Sequence, residues 1–297
     1  LLKALPGDPI EVLIGGAEKD MSAKDLAFLR QEFGLDKSLP EQYFAWLKQT
    51  LKGNWGRSYR DERPVSILIG ERLPATVFLV GAALLLAVTT GFSWGLLMLW
   101  LYQFDDGHLL DDTLLSLAYW VYSMPGFWLG FLAIGALGNL PGLPLKLLGP
   151  DNGQINLASL ILPAFVLSTR RAAKLALLTR ASMIAELKQG YILTARSKGL
   201  SFMSVIMKHI VINSLPPLIN FLALSIPSLL GGSVLVETVF AWPGLGRLAV
   251  DSTFALNYPV LLALIMTYGA LVIFSNLFAD LIHLAIDPRL RDRIQVV

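Results

Sequence analysis

Long apolar runs, separated by short polar stretches, dominate the chain. Leu73 to Phe104 and Thr113 to Leu145 carry no charged residue. Asn152 to Thr169 is shorter, Ile210 to Val236 is interrupted by prolines, and Ser252 to Ala279 completes a set of five charge-free windows. A helix crossing ~30 Å of hydrocarbon at ~1.5 Å per residue needs about 20 mostly apolar residues. A Lys, Arg or Asp at its centre costs roughly 2.5–3.5 kcal/mol, so the five windows predict five membrane spans.

Ahead of these windows the pattern changes to the 3.6-residue period of surface helices. Ser22 caps a predicted helix with Asp25 three residues on, Leu26, Leu29 and Phe33 on one stripe, and Gly34 as its stop. A second predicted helix starts at Leu39 with Pro40 in its first turn, shows a Tyr43, Trp46, Leu47 and Leu51 face, and ends at Gly53. The stretch "RPVSILIGERLP" reads as a third, amphipathic piece lying along the interface before Pro74 starts the first readable span. The opening "LLKALPGDPIEV" leads to the expectation that Leu1 and Leu2 end a preceding apolar helix, with an extended surface N-terminus as the competing reading. Residues 1–72 are thus read as the end of one span plus an extracytoplasmic helical cap, 73–290 as a membrane core, and 291–297 as a cytoplasmic tail.

Composition supports a bilayer environment. The chain is 55% apolar and 15% charged, against about 25% charged in an average soluble domain, and its mean hydropathy is +0.60. It has no cysteine, which excludes disulfides and thiolate chemistry. The net charge of +2 matters less than where the charges fall. Arg170, Arg171, Lys174, Arg180, Lys188, Arg196, Lys198 and Lys208 lie between the third and fourth readable spans, opposed only by Glu186. That loop is assigned to the cytoplasm, together with Arg289, Arg291 and Arg293 of the tail. The segments 138–154 and 241–259 then fall outside, and 103–112 falls inside although it contains no Lys or Arg.

The basic loop also carries a local design. Helix formers continue from Arg170 to Met183, so the third readable span is expected to extend into the cytoplasm. Gly190 interrupts it, Tyr191 to Lys198 forms one or two turns, Gly199 stops them in the left-handed conformation, and Ser201 caps the next helix. The expected product, within a segment 184–208, is a short helix held crosswise between two long ones and able to transmit force. The competing reading is a polybasic stretch attracted to anionic lipid at about 1 kcal/mol per basic residue.

The stretch "YILTARSKGLSFMSVIMKHIVINSLPPLI" resembles the cytoplasmic signature of the inner-membrane permease subunits of bacterial ABC importers, in the dipeptide, oligopeptide and nickel group. The stretches "LPGDPIEVLIGG", "FGLDKSLPEQYFAWL", "GNWGRSYRDERPV", "ERLPAT", "ETVFAWPGLGRL", "NYPV" and "DLIHLAIDPRLR" are also similar to that group, in the same order. The resemblance implies an all-α integral membrane protein of the bacterial inner membrane. Its fold would be that of a type I ABC importer permease, with six transmembrane helices of which the first is largely missing here. The implied partners are a related second permease, two ATP-binding subunits carrying ATP and Mg, a solute-binding protein and membrane lipid, with no nucleic acid. The implied ATPase-coupling residues are Glu186, Tyr191, Ala195, Arg196, Lys198, Gly199 and Leu200. Two departures stand out: Lys188, Gln189 and Gly190 replace a common acidic pair before the tyrosine, and the 103–112 loop lacks its usual basic residues.

No G-x-x-x-x-G-K-[ST] occurs, so no cofactor and no catalytic residue is expected in this chain, and ATP hydrolysis is expected on partners. Broken helices line transport paths because freed backbone groups need cover from protein or water. Residues 122–130, 162–165 and 223–233 are the candidates, giving Met124, Ser225, Ser228, Gly231, Gly232 and Glu237 as candidate pore-lining residues. Small residues equally allow close helix packing, and Glu237 has a second reading as a brace paired with Arg247. His108, His209 and His283 form no cluster, so no metal site is expected and peptides are preferred over nickel as cargo. The windows predict no ionisable group at mid-depth, which argues against an ion-coupled secondary transporter. The scattered aspartates and histidines likewise argue against an intramembrane hydrolase.

Overall fold

A computed structural model describes residues 38–104, 108–138, 149–150 and 155–286. The helix expected after Ser22 and the basic tail lie outside the described residues, as does most of the segment 138–154. The chain divides into two compact units, residues 1–74 with 248–267, and residues 75–247 with 268–297.

In the first unit, α1 spans Leu39–Leu51 with Pro40 in its first turn, as its pattern predicts. The Ser38 amide donates to Glu41 Oε2 at 3.1 Å, satisfying an N-terminal donor that the helix itself leaves free. A tight turn follows, in which the Ser58 amide donates to the Arg63 carbonyl at 3.0 Å and Glu62 takes a positive φ of 55°. The side chain of Asn257 locks this turn, donating to Ser58 Oγ at 2.8 Å and accepting from the Tyr59 amide at 3.1 Å. Ser58 and Asn257 are both buried, so each needs such a partner.

The structure corrects the piece ahead of Pro74. It is no separate interfacial helix, because α2 runs unbroken over Val65–Phe104 with Pro74 inside it. A proline forfeits one helical bond and crowds the carbonyl four residues back. Here buried residues on both sides, Val65, Leu68 and Ile69 before it and Ala75 and Leu79 after it, keep the turns in place.

In the second unit, α3 (Leu109–Ser123) and α4 (Gly126–Gly138) meet at a bend of 101°. The expected single span from Thr113 to Leu145 is therefore broken, and the cause is local. Pro125 pushes Met124 into the extended region, with ψ of 136°. α5 spans Leu157–Leu187, opened by Asn156 Oδ1 accepting from the Ser159 amide at 2.8 Å. Next come α6 (Gly190–Ser197), α7 (Phe202–Val205), a π-helical turn at Ile206–Ile210, and α8 (Val211–Val239). Pro163 lies inside α5, and Pro216, Pro217 and Pro227 lie inside α8. Of the three expected breaks, only that at 122–130 interrupts a helix. The last predicted window is also divided, into α9 (Leu245–Phe254) and α10 (Tyr258–Ile286), with Leu256 at φ 50° in the gap.

Five windows thus do not become five simple spans. By length and composition, the helices at Val65–Phe104, Phe202–Val239 and Tyr258–Leu281 suffice to cross a membrane, and the bent α3–α4 pair adds a fourth if it counts as one. α5 is long, but only its first part, 157–169, is free of charge. Its charged part is held in the protein: Arg180 grips the fully buried Asp111 of α3, with Nε 2.8 Å from Oδ1 and Nη2 on Oδ2. One acid of the 103–112 segment therefore neutralises one of the cations counted for orientation.

The core of this unit joins Leu79, Ala83, Leu160, Ala164, Leu229 and Trp242 with their neighbours. α2 and α5 approach closely at two glycines one turn apart. A Cβ on Gly91 would lie 2.6 Å from the Ala172 carbonyl oxygen, and one on Gly95 would lie 2.5 Å from Thr179 Cβ. The G-x-x-x-G spacing in "GFSWG" is the sequence signal for this contact, and without hydrophobic drive between helices in lipid such close packing is what holds them together. Gly95→Val should lower the unfolding midpoint in detergent by an amount equivalent to about 1–3 kcal/mol of overpacking strain. Gly81→Ala, where a Cβ meets nothing within 4 Å, should leave the midpoint within error. Equal effects of the two substitutions would contradict the close contact.

Candidate functional site

Three features gather the residues singled out in the sequence: a cross-helix between α5 and α8, a cavity beside the α3–α4 break, and a buried carboxylate at the end of α8.

The cross-helix is α6. It starts and ends within one residue of expectation, Gly199 takes φ of +79°, and Ser201 Oγ accepts from the Ser204 amide at 3.4 Å. Its inner face carries Ile192 and Ala195, both buried, packed in a cluster with Leu99, Met183, Val205, Ile206 and Ile210. Burial of a side chain such as Ile192 is worth about 1.5–3 kcal/mol, enough to hold a helix too short to be stable alone. Tyr191 ties the ends together: its hydroxyl donates to Glu186 Oε2 at 2.5 Å and accepts from Asn213 Nδ2 at 3.0 Å. Burial, and then the Glu186 carboxylate, push the Tyr191 phenol above its ordinary value, so it remains a donor at physiological pH. Glu186 and Tyr191 thus connect α5, α6 and α8, while Arg196 lies over the Phe202 ring at 5.4 Å. Lys198, Gly199 and Leu200 are exposed. Ala195 faces the core, while Leu193, 71% exposed and not among the residues singled out in the sequence, faces outward.

The cavity has a volume of about 350 Å³ and lies between the α3–α4 break, α5 and α8. Of the candidate pore residues, Ser228 and Gly232 are on its walls, with Pro125, Phe127, Arg170 and Arg171. Met124, Ser225, Gly231 and Glu237 are not. Met124 is buried at the break, the Ser225 hydroxyl turns back to donate to the Phe221 carbonyl at 2.7 Å, and Gly231 is exposed on α8. Arg171 Nη2 donates to Ser228 Oγ, which brings a charge against the charge-free stretch of α8 from outside the windows. A long side chain carries its charge away from its own helix, which a count along the sequence does not register.

Glu237 is fully buried, and it meets Arg247 through the backbone amide. Thr76 Oγ1 donates to Glu237 Oε1 at 2.8 Å and accepts from the Leu245 amide at 2.8 Å. Glu237 Oε2 accepts from the amides of Gly246 at 2.7 Å and Arg247 at 3.2 Å, while Arg247 Nη1 donates to the Ala241 carbonyl. The carboxylate therefore caps the first turn of α9 through backbone donors, where a negative charge is favoured. Trp242 Nε1 adds a bond to the Ala75 carbonyl at 3.0 Å. Gly244 and Gly246 are required by closeness, since a Cβ on Gly246 would lie 2.5 Å from Val234 Cα. Thr76 was not singled out by sequence; its only signal was its place in "ERLPAT".

Glu237→Gln preserves shape but sets an amide donor against backbone donors, leaving a buried group unpaired at about 1–3 kcal/mol. It should lower the unfolding midpoint of the purified chain in detergent, and Thr76→Val should do the same. A Glu237→Gln protein of unchanged midpoint would show that the cap contributes nothing.

Comparison with known proteins places this geometry. Residues 87–292 match the family described as "Binding-protein-dependent transport system inner membrane component". The oligopeptide transport system permease protein AppB of Bacillus subtilis (strain 168) is 37% identical, over 98% of this chain and 92% of that protein. The dipeptide transport system permease protein DppB of Escherichia coli (strain K12) is 33% identical, over 97% and 91%. The glutathione transport system permease protein GsiC of Escherichia coli O1:K1 / APEC is 36% identical, over 97% and 90%. In fold, the chain is similar to the inward-facing methionine ABC transporter MetNI in its CY5 native crystal form, with a TM-score of 0.62 and 19% identity, over 75% of this chain and 97% of that one. The chain belongs to the family of binding-protein-dependent transport system inner membrane components, and is a multi-pass inner-membrane permease subunit with the type I ABC importer fold.

Proposed function

We propose that this chain forms half of the translocation pore of an ATP-driven importer of di- and oligopeptides, pairing with a related second permease. A solute-binding protein delivers the cargo at the outer face, and two cytoplasmic ATPases, which carry ATP and Mg, supply the work. The cargo reading is supported by relatives named for oligopeptide and dipeptide transport over nearly the whole chain.

The observation that carries the coupling is the two-faced build of α6. Its inner face is anchored by Ile192 and Ala195, while Leu193, Arg196, Lys198 and Leu200 stand outward. Continued along the chain, Met203 and Met207 are 56% and 51% exposed. An exposed apolar side chain beside cations, on a helix fixed at both ends, suits a groove on a partner protein better than a lipid headgroup layer. Glu186 and Tyr191 would carry displacement of α6 into α5 and α8, and Gly199 would set the angle at which α6 leaves the docking groove.

Leu193→Asp tests this in the complex purified with its partner subunits. The expected result is at least a tenfold loss of copurifying ATPase, with the spans still inserted and the permease still extracted in folded form. Retention of both ATPases with normal transport-coupled hydrolysis would refute the docking role.

A further inference from the structure

The cavity beside the α3–α4 break holds more positive charge than its surroundings neutralise. Arg170 and Arg171 line it, and Lys174 lies one turn further along α5. Arg170 and Lys174 both rest over the Tyr122 ring, at 5.2 and 5.3 Å from its centre. This contact steadies two cations without cancelling either. Among the described residues, no carboxylate pairs with any of the three; Glu71 and Asp111 are taken up by Arg63 and Arg180 instead.

Arg171 is the central one. It is half-buried, and its guanidinium reaches across to Ser228 on α8, which among the described residues takes up one of its five donors. Ser228 stands between Val211 and Val239, far from either end of the apolar helix. A cation set against the middle of an apolar helix is costly and marks a functional site by default. The remaining walls are apolar or small: Phe127, Val166, Leu167, Leu229 and Gly232. A cavity of about 350 Å³ with apolar walls and one oriented fork of donors is built for a small solute with a planar anionic end.

We propose that Arg171, positioned by Ser228 and backed by Arg170 and Lys174, is a subsite that receives the free carboxylate of a carboxylate-bearing solute as it passes through the subunit. The proposal rests on the import reading above and adds to it a chemical requirement on the cargo. A guanidinium pairs with a carboxylate through two parallel bonds, and the low-dielectric walls strengthen that attraction. The same chemistry would hold the phosphate of an anionic lipid, so the experiment distinguishes the two sources.

The test uses the assembled transporter with its binding protein, reconstituted in vesicles of phosphatidylcholine with and without phosphatidylglycerol. Uptake of trialanine and of trialanine C-terminal amide is measured, each at a concentration that saturates the binding protein, so that selection by that protein drops out. The wild-type complex should favour the acid, and Arg171→Gln should reduce the acid-to-amide ratio about tenfold. Arg171→Lys, which retains the charge but not the fork, and Ser228→Ala, which frees the guanidinium, should give smaller reductions. They also carry the comparison if the glutamine variant fails to assemble. An acid-to-amide ratio unchanged in assembled, transporting variants overturns the proposal. A ratio that stays constant while Arg171→Gln abolishes the dependence of uptake on phosphatidylglycerol also overturns it and assigns the cations to lipid. Failure of the wild-type complex to import either peptide refutes the import reading itself, an outcome distinct from a lost preference.

Discussion

A helix may break inside an apolar environment only where something else satisfies the backbone groups that the break frees. This constraint organises the described structure. Where α8 gives way to α9, the amides of Leu245, Gly246 and Arg247 are taken up by Thr76 and Glu237, and the indole of Trp242 reaches the Ala75 carbonyl. Between α9 and α10, in the other unit, Asn257 closes a gap by bonding Ser58 and the Tyr59 amide. The bonds made by Thr76, Trp242 and Asn257 join segments far apart in sequence, so the points that interrupt the helices are also points that fasten them together.

The same principle governs charge. Asp111 is fully buried and tolerated because Arg180 meets it with two bonds. Arg171 is reached by a serine and by no carboxylate among the described residues. The contrast separates a structural ion pair from a cation retained at a cavity wall. It also moves the chemical interest of the chain away from Glu237, whose oxygens are occupied by the cap of α9, and toward the basic half of α5.

The segment 184–208 shows how a short helix is held between two long ones. α6 has eight residues and no stability of its own. It is ordered by two apolar residues on one side and by the Tyr191 hydroxyl, which bonds the end of α5 and the start of α8 at once. The π-helical turn at Ile206–Ile210 leads from this region into α8 and shifts the register of the side chains that follow. α6 is therefore fastened to both long helices.

Much of this was legible in the sequence because it depends on local chemistry. The α1 boundaries, the limits of α6, the left-handed Gly199 and the Ser201 cap follow from residue preferences over a few positions, and the membrane environment follows from charge-free length. The resemblance to importer permeases was visible as strings of residues in a fixed order. Their pairing was not: "ERLPAT" meets "ETVFAWPGLGRL" through Thr76 and Glu237, and "GNWGRSYRDERPV" meets "NYPV" through Ser58 and Asn257. Tertiary structure also decided which prolines break a helix, since Pro125 does and Pro74, Pro163 and Pro227 do not. It decided that Ala195 faces inward and that Arg171 projects its charge beside Ser228. The physical reason is common to all of these. Propensity and hydropathy are sums over neighbours in the chain, whereas the cost of a buried donor, a proline or a charge depends on which distant group lies within about 3 Å of it.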